Sequence, residues 1–261
     1  MICPLCQTKG RHQFNQILMG KYDVKYYQCP NCYLLYTEKP YWLGEAYEKA
    51  IANIDTGIIT RNIEISVKVE RILRWMKINR KVCLDYGGGY GIFVRIMRDL
   101  GYNFLWYDKY AENLLASGFE WNKKEKIEVL TAFELFEHFE NPAKEIEILL
   151  SISKRIIFST ECYSEEGILR DKDWWYYAVA SGQHIVFYST KTLKYIADKY
   201  GIYYYHILGL HYFTDEPLKN WNMLCLKIAD VFGKIPIRWW VKIKHSKAID
   251  DFNFICKKYE E

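Results

Sequence analysis

A short run of glycines after an acidic residue is the part of this chain best suited to bind a ligand. It reads Asp85-Tyr86-Gly87-Gly88-Gly89-Tyr90-Gly91 and follows an apolar segment that predicts a strand. Glycines at alternate positions let the backbone turn tightly, approach a ligand closely and begin a helix. Amides at a helix start favour an anion, and the Asp85 carboxylate can accept a hydrogen bond from an ammonium group. Together these groups suit a zwitterionic amino-acid tail.

Because dinucleotide-binding enzymes use a similar glycine turn, two later motifs decide the interpretation. The first is an apolar strand over residues 103–107 that ends at Asp108, where a carboxylate can bind both hydroxyls of a ribose. The second is a strand over residues 127–133, followed by a loop that contains Glu137 and His138. We expect these two side chains either to face the ligand crevice or to fix the loop.

The three motifs, in this order, resemble those of the class I S-adenosylmethionine-dependent methyltransferases. The resemblance covers residues 60–259 and implies an α/β fold with a Rossmann-like sheet, parallel except for an antiparallel last strand. It also implies S-adenosylmethionine as the cofactor. The residues that match the cofactor site are Asp85, Gly87, Gly88, Gly89, Asp108, Ala132 and Phe133.

Two Cys-x-x-Cys pairs lie near the N-terminus. The four cysteines are Cys3, Cys6, Cys29 and Cys32. Their spacing is that of a zinc ribbon with four thiolate ligands. Because four thiolates leave no position for water, the predicted Zn²⁺ is structural. Chance cysteines, a redox pair or a variant site that uses His12 are the alternatives. Residues 14–18 and 24–28 are predicted to form the hairpin between the pairs.

Periodic patterns place further elements around these motifs. Residues 60–76 carry Ile63, Val67, Ile72 and Met76 at helical spacing, which predicts an amphipathic helix before the first strand. The other predicted helices are 92–100, 142–153 with Asn141 as N-cap, and 190–200 with Ser189 as N-cap and Leu193, Ile196 and Ala197 inward. The other predicted strands are 154–160, 202–208 and, as the antiparallel last strand, 251–257. Few residues separate Asp108 from the next predicted strand at residue 127, so the third strand that usually lies between them is expected to be short.

Three units are predicted along the chain: a zinc ribbon over residues 1–40, a connecting segment over 41–59 and a methyltransferase domain over 60–261. Aromatic residues of the connecting segment, Tyr41, Trp42 and Tyr47, either close over a substrate or pack between the domains. An insertion at about 218–245 mixes apolar, aromatic and basic residues. It is expected to contact a membrane surface, form a homodimer contact or pack on the domain.

Four aromatic residues and a Gln-His pair occupy the place where a substrate lid belongs. The aromatic residues are Trp174, Trp175, Tyr176 and Tyr177. This segment resembles that of methyltransferases acting on sugars, among them nucleotide-sugar C-methyltransferases with an N-terminal four-cysteine zinc domain. A Glu-His pair is the catalytic base in those enzymes. Here His184 matches the histidine, but Gln183 replaces the glutamate and Ser181 replaces a tyrosine. The resemblance therefore implies His184 as a base for a hydroxyl rather than for carbanion chemistry.

The aromatic residues before His184 have two interpretations. They could stack on a sugar ring or flank the sulfonium through cation–π contact. Equally, they could form the core of the lid.

Composition narrows the class of protein. At 261 residues, of which 50% are hydrophobic, the chain can form one α/β domain with a small appendage. The net charge of +4 argues against a nucleic-acid partner. We find no signal-peptide pattern before Cys3 and no apolar run long enough for a transmembrane segment. A cytoplasmic location is expected, where the eight cysteines stay reduced.

The sequence predicts an enzyme that O-methylates a sugar or sugar-linked group of a surface polysaccharide or its nucleotide-linked precursor. The acceptor is then a small molecule or glycan-linked. A second hypothesis is an RNA-modifying methyltransferase, but the loop after Thr131 lacks the Asn/Asp-Pro-Pro-aromatic motif of base-amine methylation. A third is a non-catalytic module that keeps the cofactor fold to bind a partner. The acids Asp85 and Asp108 argue against it.

Overall fold

The computed structural model describes residues 1–47, 56–78, 81–164, 174–218 and 257. In these ranges the strands are β1 (Arg11–Leu18), β2 (Tyr22–Gln28), β3 (Leu35–Thr37), β4 (Val82–Tyr86), β5 (Asn103–Tyr107), β6 (Val129–Ala132), β7 (Ile156–Phe158), β8 (Val186–Phe187), β9 (Tyr203–Ile207) and β10 (Leu210–Thr214). The α-helices are α1 (Leu43–Ala46), α2 (Ile58–Trp75), α3 (Ile92–Asp99), α4 (Pro142–Ile152) and α5 (Thr190–Tyr200). The 3-10 helices are Phe136–His138 and Trp175–Tyr177. None of the described helices has the length and apolar character that a bilayer crossing needs.

A six-stranded sheet forms the centre of the fold, in the order β5-β4-β6-β7-β10-β9. Strands β5, β4, β6 and β7 are parallel, and β10 is antiparallel to both of its neighbours. Helices cover both faces, so the parallel strands are apolar on both sides. Cys83 packs with side chains of α2 and α3, and Leu84 packs with those of α4 and α5. This is the predicted Rossmann-like sheet with an antiparallel strand.

Helix starts follow the predicted capping residues. The Asn141 side chain accepts from the Lys144 amide and begins α4, and the Ser189 side chain accepts from the Thr192 amide and begins α5. Each cap satisfies an amide that has no partner within its own helix. Both predicted N-caps are confirmed. The inward residues predicted for α5 are also buried.

The buried face of α2 differs from the predicted one. Ile65, Val69 and Ile72 are buried, whereas Ile63 is 41% exposed. Ile63 and Ile72 are nine residues apart, which is two and a half helical turns, so they cannot share a face. The predicted face of Ile63, Val67, Ile72 and Met76 is therefore wrong, although the helix itself is confirmed.

In the described part of the sheet, the antiparallel strand is β10, which the sequence analysis did not predict. Leu208 and Gly209, with φ of +54° and +74°, form a two-residue turn that makes β9 and β10 a hairpin, because such turns match the twist of adjacent strands. Residues 251–256 and most of the predicted insertion, 219–245, lie outside the described residues. The third strand is short as predicted: beside Trp106, the described chain forms only an isolated parallel bridge to Glu120.

A second sheet joins the N-terminal residues to the α/β part, in the order β1-β2-β3-β8. The predicted hairpin corresponds to β1 and β2, which are antiparallel. Strand β8 belongs to the α/β part of the chain and pairs with β3. Buried aromatic side chains from both parts pack together: Phe14, Tyr26, Trp42, Tyr176, Tyr177 and Phe187. The N-terminal sheet is thus continuous with the segment that precedes α5.

Candidate functional site

The glycine turn between β4 and α3 has the backbone that its sequence predicts. Gly87, Gly89 and Gly91 have φ of +80°, +51° and +84°, a region that residues with a Cβ rarely adopt. The Gly87 and Gly88 amides donate to the Tyr107 carbonyl at 2.8 and 3.1 Å. A Cβ on Gly88 would lie 2.6 Å from Cδ1 of Trp106. The turn therefore requires glycine and is held against the end of β5.

Asp85 is a buried carboxylate at the end of β4. It is 3% exposed, and Oδ1 accepts a 2.7 Å hydrogen bond from the Thr131 hydroxyl. Burial raises the pKa of Asp85 to about 7, with a smaller contribution from the charge of Asp108. An ammonium group placed beside this carboxylate would stabilise its ionised form.

Asp108 holds the other side of the glycine turn by backbone contacts. Its Oδ2 accepts from the Gly89 amide at 2.9 Å, and its Oδ1 accepts from the Tyr110 and Ala111 amides at 2.7 and 2.8 Å. An ionised carboxylate offers about four acceptor positions, so Oδ2 retains one for a further donor. The two acids singled out from the sequence therefore face the same turn.

Ala132 and Phe133 lie at the end of β6, beside the turn. Ala132 is fully buried, and its carbonyl accepts from the Ser159 amide at 3.3 Å. The ring of Phe133 packs edge-on against Phe93 of α3, with 4.9 Å between ring centroids. Phe133 thus packs between β6 and the helix that follows the glycine turn, whereas Ala132 belongs to the core on the opposite face of the sheet.

Glu137, His138 and His184 form one cluster. A ligand atom from each lies within 4.8 Å of the others, and the two imidazole centroids are 4.9 Å apart. The 3-10 helix Phe136–His138 is tied to the later segment because the Ile185 amide donates to the Glu137 carbonyl at 2.9 Å. The cluster lies beyond the carboxyl ends of β6 and β7, where open α/β sheets bind ligands.

Burial keeps both imidazoles of the cluster neutral. Their Nδ1 atoms contact backbone carbonyls, that of Gln183 for His138 at 3.0 Å and that of Tyr176 for His184 at 2.7 Å. Desolvation lowers the pKa of His138 to about 4 and that of His184 to about 3. A ring with so low a pKa has a weak affinity for a proton, but its lone pair can accept a hydrogen bond or bind a cation.

Glu137 is the most deeply buried carboxyl group of the site. It has no exposed surface, and neither carboxylate oxygen has a hydrogen-bond partner in the described part of the chain. Desolvation, with the nearby charge of Glu134, raises its pKa well above the ordinary value. The hydroxyls of Thr160 and Tyr176 lie beside it and bond each other at 3.2 Å.

The four predicted aromatic residues separate into two groups. Tyr176 and Tyr177 are 0% and 2% exposed and belong to the core shared with the N-terminal sheet, whereas Trp175 is 69% exposed. Trp174 is partly buried against that core. Tyr176 also packs edge-on against His184, with 4.7 Å between centroids. The two tyrosines thus belong to the core beneath this segment, and the Trp175 ring is exposed; whether the segment covers a substrate stays a prediction.

Tyr47 has a contact that sequence reasoning did not find. Its hydroxyl lies 2.8 Å from Nδ1 of His138, and its ring stacks on Tyr110 with 5.8 Å between centroids. The only indication in the sequence was that Tyr47 is an aromatic residue of the connecting segment, and this did not predict His138 or Tyr110 as its contacts. The other two aromatic residues differ: Trp42 is buried, and Tyr41 is 62% exposed.

The four N-terminal cysteines converge. Sγ of Cys3 lies 3.5 Å from that of Cys32, Sγ of Cys6 lies 3.3 Å from that of Cys29, and all four fall within 4.8 Å of one another. Zn–S bonds of about 2.3 Å in a tetrahedron separate the sulfurs by roughly 3.8 Å. The thiol geometry therefore fits a four-thiolate zinc ion.

Comparison with known families identifies the class of protein. Residues 60–207 match the family model described as "Methyltransferase domain". That match spans 148 of the 261 residues, more than half of the chain. The chain belongs to this methyltransferase family.

Several solved structures are similar to the chain at low identity. The plantazolicin methyltransferase BpumL in complex with SAH is 14% identical, with 77% of this chain and 88% of that chain covered and a TM-score of 0.49. The magnesium protoporphyrin IX methyltransferase ChlM from Synechocystis PCC 6803 is 12% identical over 67% and 95%, with a TM-score of 0.43. Human N-acetylserotonin methyltransferase is 10% identical over 67% and 66%, with a TM-score of 0.40. No curated protein matches the chain significantly.

Proposed function

We propose that the chain transfers the methyl group of S-adenosylmethionine to a hydroxyl of a sugar or sugar-linked group, in a surface polysaccharide or its nucleotide-linked precursor. One observation carries the cofactor assignment: Asp85 and Asp108 lie against the same glycine turn. In this arrangement the turn binds the methionine carboxylate, Asp85 the ammonium and Asp108 the ribose hydroxyls. Membership of a methyltransferase family supports it.

Methyl transfer from a sulfonium is an in-line displacement. A lone pair of the acceptor oxygen forms the new C–O bond while the C–S bond breaks, the sulfur leaves as a neutral thioether, and the acceptor loses its proton. We assign the acceptor to the side of the site that carries His184. Its Nδ1 is bonded to the Tyr176 carbonyl, which leaves Nε2 to meet the acceptor.

An exposed aromatic face supports a sugar as the acceptor. Trp175, nine residues before His184, is 69% exposed. Its ring therefore has a face open for stacking on a sugar. Tyr110, which is 66% exposed and follows the expected ribose acid, already stacks on Tyr47. We further propose that Cys3, Cys6, Cys29 and Cys32 bind a structural Zn²⁺ that holds the N-terminal sheet against the lid.

The experiment has two stages. Calorimetry first measures S-adenosylmethionine binding, with Asp108→Ala as the variant that should bind weakly and Asp99→Ala, an exposed acid on α3, as the matched control. Transfer of a labelled methyl group is then compared between nucleotide sugars, glycan precursors and RNA. Transfer to the sugar acceptors supports the proposal. Transfer to RNA alone contradicts the acceptor, and no binding of S-adenosylmethionine contradicts the whole assignment.

A further inference from the structure

The Glu137 carboxylate is fully buried, and the nearby hydroxyls of Thr160 and Tyr176 offset the cost of its charge only in part. Its exposed fraction is zero, and both oxygens lack a hydrogen-bond partner within the described structure. An unpaired carboxylate in such a place costs several kcal/mol unless a proton or a cation neutralises it. Glu134, whose charge also acts on Glu137, makes the surroundings more negative. The site therefore favours a positive ligand.

His184 presents a lone pair from Nε2 beside the buried carboxylate. A backbone carbonyl can only accept, so Nδ1 of His184 carries the proton that it donates to the Tyr176 carbonyl, and its Nε2 is unprotonated. Nδ1 of His138 contacts both the Gln183 carbonyl, at 3.0 Å, and the Tyr47 hydroxyl, at 2.8 Å. In the tautomer that donates to Gln183, Nε2 of His138 also offers a lone pair. A hydrogen bond from the other ring nitrogen to a carbonyl is the usual support of a histidine that ligates a metal through Nε2.

The spacing of the three side chains suits one ion. Their ligand atoms already lie within 4.8 Å of one another, and bonds of about 2.0–2.2 Å to a shared ion would place neighbouring ligands about 3.0–3.5 Å apart. Small side-chain rotations cover that difference. Both imidazoles keep some exposed surface whereas Glu137 has none, so an ion bound here would still be reachable from the cleft.

We propose that Glu137, His138 and His184 bind a divalent transition-metal ion, and that this ion binds the acceptor hydroxyl of the transfer reaction. Two imidazoles and one carboxylate favour ions such as Mn²⁺, Co²⁺ or Zn²⁺ over Mg²⁺ and Ca²⁺, which prefer oxygen ligands. Three protein ligands leave coordination positions for other groups. The role toward the acceptor rests on the proposed methyl transfer, but the metal site itself does not.

This site changes what His184 does in the reaction. An imidazole that gives its lone pair to an ion cannot also remove a proton, so His184 becomes a ligand instead of the predicted base. The ion lowers the pKa of a bound hydroxyl, whose proton passes to water. The resulting alkoxide attacks the methyl carbon, and the neutral thioether leaves. No oxidant or reductant is needed, because the ion keeps its charge throughout.

Metal titration of the full chain, with its cysteine site loaded with zinc, tests the site without any acceptor. Mn²⁺ binding is followed by the electron paramagnetic resonance signal of the free ion, and Co²⁺ binding by its visible spectrum. A sulfur-to-cobalt charge-transfer band would show that thiolates were the ligands. We expect one additional ion per chain, no such band, and at least about a 10-fold loss of affinity in Glu137→Gln and in His184→Ala.

Glu140→Gln is the matched control, because Glu140 is an exposed acid three residues from Glu137, and its affinity for Mn²⁺ should equal that of the native chain. Far-UV circular dichroism, measured on every variant, reports whether it has folded, and S-adenosylmethionine binding is measured separately. Equal affinity in Glu137→Gln and the native chain, or binding of neither ion beyond the cysteine site, overturns the inference. Metal binding without S-adenosylmethionine binding overturns only the proposed function, and the reverse result overturns only the metal site.

Discussion

Tyr47 and His138 are joined by a 2.8 Å contact between the tyrosine hydroxyl and Nδ1 of the histidine. The same tyrosine stacks on Tyr110, whose amide donates to Asp108. One side chain of the connecting segment thus links the acid assigned to the ribose with the cluster assigned to the acceptor. The proposed cofactor and acceptor would then lie next to each other near Tyr47, as an in-line transfer requires.

Asp85 should make stability depend on pH. Its folded pKa of about 7 exceeds the ordinary value near 3.9, so the folded chain holds this proton more tightly than the unfolded chain. The stabilisation is complete below the unfolded pKa and is lost as the pH rises through 7. Between pH 5.5 and 8 we expect a loss of about 2 kcal/mol that is absent in Asp85→Asn. Urea unfolding at both pH values measures it.

Ionisation of Asp85 should increase the affinity of the chain for S-adenosylmethionine. S-adenosylmethionine binding by the native chain should tighten from pH 6 to pH 8, because the ammonium group needs the carboxylate. Asp85→Asn should bind weakly at both values. An equal pH response in the variant and the native chain would remove Asp85 from the site.

Asp108→Ala should weaken S-adenosylmethionine binding by roughly 1.5–3 kcal/mol, the range for losing a charged hydrogen bond. The loss includes the contact that Asp108 makes with the Gly89 amide, so the turn loosens as well. Calorimetry measures the change. Asp99→Ala, which removes an exposed acid paired with Arg95, should leave affinity unchanged. If Asp108→Ala also leaves it unchanged, the ribose assignment is wrong.

Gly88→Ala should disturb the turn by steric contact. The added Cβ would lie 2.6 Å from Cδ1 of Trp106 and 3.1 Å from Oδ2 of Asp85, so Trp106 must move. We expect at least about a 10-fold loss of cofactor affinity because the turn itself must shift, together with a loss of about 1–3 kcal/mol of unfolding free energy from overpacking. Gly44→Ala is the control because its Cβ would meet nothing within 4 Å. Equal binding by the two variants would contradict the close packing at Gly88.

Cys32→Ser should abolish metal binding by the four cysteines and destabilise more than the N-terminal sheet. Strand β8 completes that sheet, and the shared aromatic core extends into the lid. We expect the sulfur-to-cobalt charge-transfer band of the cobalt-loaded chain to disappear and the thermal midpoint to fall with it. Cys162→Ser, which alters a partly buried thiol outside the cluster, is the control. A charge-transfer band that remains in Cys32→Ser would contradict the four-thiolate site.

Substitutions of two neighbouring aromatic residues should have different effects, one on stability and the other on acceptor binding. Tyr176→Ala removes a fully buried ring and should cost about 3–5 kcal/mol of unfolding free energy. Trp175→Ala removes a ring that is 69% exposed and should change stability by less than about 0.5 kcal/mol while raising KM for a sugar acceptor. Chemical unfolding and methyl-transfer kinetics measure the two effects. Normal acceptor kinetics in Trp175→Ala would exclude stacking on that ring.

Local chemistry made the geometry of the candidate cofactor site largely predictable. Only glycine suits the positive φ values of the turn, and an acid at the end of each of two neighbouring parallel strands must lie at the same sheet edge. Asn141 and Ser189 were recognisable as helix caps because capping depends on residues a few positions apart. The spacing of the two cysteine pairs likewise predicted that the four thiols would converge.

Tertiary contacts account for what the sequence did not reveal. Pairing of β8 with β3 joins residues about 150 positions apart, and no local pattern of a two-residue strand predicts such a partner. The turn at Leu208 was missed because a leucine with positive φ is rare. In the sequence, Glu137 was one polar loop residue among several, and only the fold shows that it is buried beside two imidazoles.

A crystal structure of the chain with S-adenosylhomocysteine bound tests the central claim most directly. The account predicts the amino-acid tail over the turn at Gly87 to Gly89, its ammonium beside Asp85, and both ribose hydroxyls within about 2.5–3.2 Å of the Asp108 carboxylate. A nucleotide bound elsewhere, with no contact to either acid, would contradict it.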